Sequence, residues 1–311
     1  MKRKMMVSAV LLAMLLLSDY AGASVYASET KTPKTAKAQE TEVQTEEETK
    51  EEEVLTAEEL AQYYKDSVFV GDSIMVGFRN YCMKKEDESF VKGIQFLAVG
   101  SYSAFNAAKP VTNDNVHPLY KGKKYQLWDA IPLMKAKRVF ILLGMNDISI
   151  LGLEGARDQY KEVIDKIVEA CPDVEIHILS TTYTLKGKGQ KTLNNENLAK
   201  YNELLQEMAE ENGWNYMDIA TPISDGKGNL AEEYCSDDFV HLSSAAYDIW
   251  ETELREYANA RQREAEAETE EKVLDAKTGK DAKTESKTGT VTDKLSTEKT
   301  TKEQENAHSK Y

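Results

Sequence analysis

Four short stretches of this chain hold side chains suited to acyl transfer: Gly71-Asp72-Ser73, Gly100, Gly144-Met145-Asn146-Asp147, and Asp238-Phe239-Val240-His241. A serine hydroxyl is a weak nucleophile at neutral pH. It needs an imidazole to take its proton, and the imidazole needs a carboxylate to fix its tautomer and stabilise its cation. Ser73, His241 and Asp238 are the residues read into those three roles. The oxyanion that forms when such a serine attacks a carbonyl also needs fixed donors. The backbone N–H groups of Ser73 and Gly100 and the side-chain amide of Asn146 are the candidates. Asp72 and Asp147 are read as acceptors that brace their loops, outside the triad.

These groups lie far apart in sequence, so the fold must gather them. Between about residues 56 and 261, apolar runs alternate with amphipathic segments. The predicted strands are 67–70, 94–99, 138–143, 174–180 and 214–219, and the predicted helices include 154–170, 194–212 and 243–260. Strands alternating with helices imply parallel pairing through right-handed crossovers, hence an α/β three-layer sandwich around a five-stranded parallel sheet. In such sheets ligands sit beyond the carboxyl ends of the strands, where strand order reverses. Each motif above falls at such an end or just before the last helix.

Read in order, GDS, Gly, GMND and DFVH resemble the SGNH hydrolase superfamily, the GDSL-type esterases and lipases. A lone Gly-Asp-Ser is weak support, but four motifs in register along one segment are specific. The resemblance implies a flavodoxin-like sheet, Ser73 as nucleophile, Ser73, Gly100 and Asn146 around the oxyanion, and Asp238 with His241 completing the triad. Ile74 departs from the leucine of the family's namesake motif.

Composition limits what else the chain can be. Its 311 residues carry 39 Lys and Arg against 54 Asp and Glu, a net charge of −15, which repels nucleic acid phosphate. Cys82, Cys171 and Cys235 are too few and too scattered for a disulfide framework, and no Cys or His spacing suggests a metal. No cofactor is expected. His177 reads as a core residue, His117 as part of an irregular loop, and the aromatic residues of 112–128 as anchors for that loop. The basic run 186–191 reads as solvated surface.

The ends are a different kind of sequence. Lys2, Arg3 and Lys4, the apolar stretch 7–17 and small residues at Ala23 and Ala27 have the form of a secretory signal peptide over 1–27. The apolar stretch is about half of the ~20 residues a membrane span needs, so membrane contact is expected only through that segment. Residues 28–55 and 262–311 are acidic or polar with few apolar residues, and are expected to form a disordered linker and tail. The expectation is a secreted serine esterase acting on an acylated small molecule or polysaccharide, with acetyl as the acyl group. A lipase or thioesterase for longer chains, and a carbohydrate-binding surface protein on a hydrolase fold, are the rivals.

Overall fold

The computed structural model describes residues 54–284. The segment expected to be a signal peptide and nearly all of the expected acidic linker lie outside the described residues, as does the tail beyond 284. Helix α1 (Ala57–Lys65) opens with a reciprocal capping box between Thr56 and Glu59. Five strands follow in the chain, β1 (Ser67–Gly71), β2 (Gln95–Ala98), β5 (Arg138–Leu142), β6 (Glu175–Leu179) and β7 (Asn215–Met217). They form one sheet in the order β2-β1-β5-β6-β7, and every neighbouring pair is parallel. The expected five-stranded parallel sheet is therefore present. From β1 the chain steps outward to β2, then crosses back to place β5 on the other side of β1, so strand order reverses between β1 and β5.

Helices cover the sheet in two groups. Helix α7 (Ser244–Thr284) packs against α1 and α2 (Ser73–Cys82), whereas α3 (Ala104–Ala107), α4 (Leu127–Met134) and α6 (Asn195–Asn212) pack against α5 (Ile148–Ala170). Helix α4 begins at the end of the 112–128 segment read as loop and runs on through residues given no element, because Pro132 inside it masks the pattern. A two-residue hairpin, β3 (Leu119–Tyr120) with β4 (Lys123–Lys124), precedes it. Helix α5 begins earlier than expected and kinks at Gly152, whose φ of 72° only glycine adopts readily.

The expected disordered tail does not begin at 262, because α7 continues as a helix to Thr284. The reason is local. Residues 262–274 are rich in Ala, Glu, Arg and Lys, and Gln262 with Glu266 and Glu268 with Lys272 pair one turn apart. This part of the helix is exposed, so no burial reports it in the sequence. Among the described residues, no helix is long and apolar enough to cross a membrane.

A row of flat side chains ties the strands together. Phe69 stacks on Phe140 at 4.5 Å, and Phe140 stacks on His177 at 4.3 Å, all three at paired positions on adjacent strands. His177 is fully buried, bonded through Nδ1 to the Tyr257 hydroxyl at 2.8 Å, and burial holds its imidazole below the ordinary range. It is a core residue, as the sequence suggested.

Helix α7 is seated by hydroxyl and indole donors. Tyr64 donates to the Leu254 carbonyl, Tyr247 to that of Ile74, and Trp250 to that of Ile219. The Tyr247 ring reaches Ile74 across Gly77, where a Cβ would lie 2.1 Å from the Tyr247 oxygen. Gly77→Ala should therefore force this buried tyrosine off its acceptor. A loss of roughly 1–3 kcal/mol in unfolding free energy is expected from denaturant titration, as for other overpacked core sites.

Candidate active site

Ser73 is the first residue of α2, and Asp72 caps that helix by accepting from the Ile74 N–H at 2.9 Å. The first N–H groups of a helix have no intrahelical acceptor, so the Ser73 amide is left for another oxygen. The strand-to-helix junction thus presents a hydroxyl and a donor at the carboxyl end of β1, beside the reversal of strand order.

His241 approaches from the long segment that follows β7. Its Nε2 lies 3.0 Å from the Ser73 Oγ, and its Nδ1 bonds to the Asp237 carboxylate through Oδ2. The carboxylate requires the proton on Nδ1, which leaves Nε2 to accept from the serine hydroxyl. Asp238, the residue read as the triad acid, does not reach His241. Its backbone is left-handed, with φ of 61°, and its carboxylate turns away to the Lys188 ammonium at 2.6 Å.

The preceding residue wins because of the turn's own hydrogen bonds. Asp237 Oδ1 accepts from the backbone N–H groups of Phe239, Val240 and His241 at 3.0, 3.0 and 3.1 Å, and the Cys235 thiol lies 3.6 Å away. Winding the chain around one carboxylate oxygen presents the other to the imidazole. Burial opposes the charge on Asp237, but the imidazole and the three amides together outweigh it and hold the carboxyl well below the usual range. The signal available in sequence was the Ser-Asp-Asp run, since an aspartate that starts a tight turn bonds to amides two to four residues ahead.

Asn146 lies just beyond β5, in the turn opened by Gly144. Its side-chain amide donates to Asp72 Oδ2 at 2.8 Å and to the Tyr102 carbonyl at 3.2 Å. Gly100 follows β2 on the same edge and is exposed, with nothing within 4 Å of where a Cβ would stand. The Val99 N–H donates to the Gly71 carbonyl and keeps the end of β2 beside the junction that carries Ser73. Ser73, Gly100, Asn146 and His241 thus all come from the carboxyl edge of the sheet, as expected.

Two buried aspartates brace these loops, as the sequence suggested. Asp147 accepts from the N–H groups of Ala104 and Phe105 at 3.1 and 2.9 Å, tying the loop after β5 to the one after β2. Burial raises its carboxyl above the ordinary value, against the pull of those amides. Asp72 joins the start of α2 to Asn146, and burial pushes its carboxyl up to about 6 despite the Ile74 amide and the nearby His241, which lower it.

A cleft of about 890 Å³ adjoins the triad turn, walled by Lys186, Lys188, Asp225, Glu232, Glu233 and Ser236 among others. The basic loop 186–191 is exposed throughout, as expected, and its Lys188 lines the cleft and bonds to Asp238. The aromatic residues of 112–128 act as anchors instead: Tyr120 meets Tyr125 edge to face, and Trp128 lies under Lys166. Cys82, Cys171 and Cys235 are all free thiols.

Two expected outcomes follow from these carboxylates. Asp237→Asn should lower kcat on a small aryl ester by about 10⁴-fold, as when a triad acid loses its charge, whereas Asp238→Asn should stay within about threefold of the parent. Steady-state rates of the two variants decide between them. The folded-state value of Asp72 is raised, so the folded protein holds that proton more tightly than the unfolded chain. The burial cost is then absent in acid and sets in as pH rises from about 4 to about 6. Asp72→Asn removes this term. Its unfolding free energy relative to the parent should grow by up to roughly 3 kcal/mol across that window and then level off. Denaturant titrations at several pH values measure it.

A model of the GDSL-like lipase/acylhydrolase family matches residues 69–249, which is more than half of the chain. A GDSL-like lipase from Bacteroides thetaiotaomicron is a similar solved structure, at 15% identity and a TM-score of 0.47, with 65% of this chain and 90% of that one covered. The lipase/acylhydrolase from Enterococcus faecalis aligns at 15% identity and a TM-score of 0.44, covering 63% and 96%. A catalytic mutant of an acetylxylan esterase from Geobacillus stearothermophilus aligns at 15% identity and a TM-score of 0.40, covering 60% and 90%. No curated protein sequence matches the chain. With the family's model spanning β1 to α7, the chain belongs to the GDSL-like lipases and acylhydrolases, a family of ester-hydrolysing enzymes.

Proposed function

We propose that the protein is a serine esterase that removes acyl groups, acetyl above all, from carbohydrate or other hydroxyl-rich polymers outside the cell. The observation that carries this reading is the chain of hydrogen bonds from Ser73 through His241 to Asp237. In the first step Ser73 Oγ attacks the ester carbonyl carbon and its proton passes to His241 Nε2. The carbonyl oxygen becomes an oxyanion among the Ser73 and Gly100 N–H groups and the Asn146 amide. Collapse breaks the bond to the alcohol, which takes the proton from His241 and leaves an acyl-serine. Water then attacks the acyl-serine with His241 again as base, releasing the acid and restoring Ser73.

The substrate class is inferred from the walls of the neighbouring cleft. Lysine, aspartate and glutamate side chains there can exchange hydrogen bonds with hydroxyl groups, and a long acyl chain laid against them would bury little apolar surface. The extracellular setting is inferred from the form of the first 27 residues.

Ser73→Ala should lose several orders of magnitude in kcat while remaining folded, and should no longer take up a fluorophosphonate probe. On aryl esters of increasing chain length, the parent's kcat/KM should fall at least about tenfold from acetyl to octanoyl, a difference of about 1.4 kcal/mol in transition-state binding. A rise with chain length would turn the reading toward a lipase, and a probe that never labels the parent would turn it toward a carbohydrate-binding protein.

A further inference from the structure

The Asn146 side chain has two amide hydrogens, and in the resting site both have internal acceptors: the Asp72 carboxylate at 2.8 Å and the Tyr102 carbonyl at 3.2 Å. An amide with both hydrogens committed cannot also serve an arriving oxyanion. We propose that Asp72 is the positioning residue of the oxyanion site, keeping one Asn146 hydrogen while the other passes from the Tyr102 carbonyl to the substrate oxygen. This rests on the serine-esterase reading above and adds a step and a residue to it.

The two acceptors are unequal in the direction this requires. Asp72 is a charged acceptor in a buried position, and bonds to ionised oxygens are shorter and stronger than those between neutral groups. Tyr102 offers a neutral carbonyl at the longer distance. A developing oxyanion is charged, so it outcompetes the Tyr102 carbonyl for the shared hydrogen without disturbing the one that Asp72 holds.

Asp72 is itself fixed by its other oxygen. Oδ1 caps α2 through the Ile74 N–H, one residue beyond the nucleophile, so one carboxylate sets the Asn146 amide and the start of the Ser73 helix together. Asparagine at position 72 would test this cleanly. An asparagine caps a helix as well as aspartate does, so Oδ1 and the Ile74 bond are retained. Its Nδ2, however, would face the Asn146 Nδ2, donor against donor. The pair is satisfied only if the Asn146 amide turns over, which carries its hydrogens away from the oxyanion position.

The experiment is a double-mutant cycle on the full chain with an aryl acetate, using the parent, Asp72→Asn, Asn146→Ala and the combined variant. Each single change should lower kcat by about 10²-fold with KM within about threefold. The combined variant should fall no further than the worse single one, because Asp72 acts through Asn146. Losses that multiply, or an Asp72→Asn enzyme with more than a third of the parent's kcat, would overturn the assignment. Should Asp72→Asn fail to fold, the parent alone decides by NMR of the Asn146 side-chain amide before and after phosphonylation of Ser73, where a phosphoryl oxygen stands in for the oxyanion. One hydrogen should shift strongly and the other little. No shift in either, or equal shifts in both, refutes the hand-over. A parent that neither cleaves the aryl acetate nor takes up the phosphonate would remove the esterase reading and this inference with it, whereas an active parent with an unaffected Asp72→Asn variant removes only the inference.

Discussion

A carboxylate at a strand end gathers donors to its oxygens, and the working edge of this sheet is organised by three that do so, two of them, Asp72 and Asp147, buried and the third, Asp237, exposed. Asp72 joins the loop after β1 to Asn146 beyond β5. Asp147 joins the loop after β5 to the amides of Ala104 and Phe105 beyond β2. Asp237 winds the last loop around itself and gives its remaining oxygen to His241. The strands fix where the loops begin, but loops have no ladder to hold their far ends. Satisfying these carboxylates admits few alternative loop conformations, so the demand for donors is what brings the separate loops together at one edge.

Such a site costs stability, and the sheet beneath it offsets that cost. The raised carboxyls of Asp72 and Asp147 are charges that burial disfavours, so bracing the loops in this way costs stability. Below them the rings of Phe69 and Phe140 and the His177 imidazole stack across adjacent strands, while Tyr247 and Trp250 lock α7 over the sheet. The core also sets geometry. Tyr201 fills the space over Gly144, where a Cβ would stand 2.1 Å from its ring, and so packs the turn that carries Asn146 against α6. Precision at the strand ends is inherited from packing several residues away.

What could be read in the sequence was whatever has a short-range signature. The strand beginning SVFV and the run RVFILL declare themselves by apolar content, and Ser73, Asn146 and His241 by their place at strand ends or before a helix. The aspartate that meets His241 was not the one expected, because the choice between Asp237 and Asp238 is made by a backbone detail, three amides converging on one oxygen and a left-handed residue next to it. Adjacent, chemically identical residues are separated in the sequence only by which of them starts the turn. The exposed part of α7 was missed for the opposite reason. Its helix rests on propensity and one-turn pairs, which a search for an apolar face passes over.

Two carboxylates lie beside the His241 imidazole. Asp237 touches the ring through Nδ1, and Asp72 lies near enough to interact with it from the side of the nucleophile. In the proposed reaction both would stand beside the imidazole that takes the Ser73 proton. Asp72 would by the same token repel the oxyanion, were its charge open. Both of its oxygens instead face donors, the Ile74 amide and the Asn146 amide, which direct their positive ends toward it. Ser73 stands at the N-terminus of α2, where the unpaired amides and the helix dipole favour negative charge. The serine junction can therefore hold an anionic side chain and still attract a second anion, because each negative charge is matched to its own set of amide hydrogens.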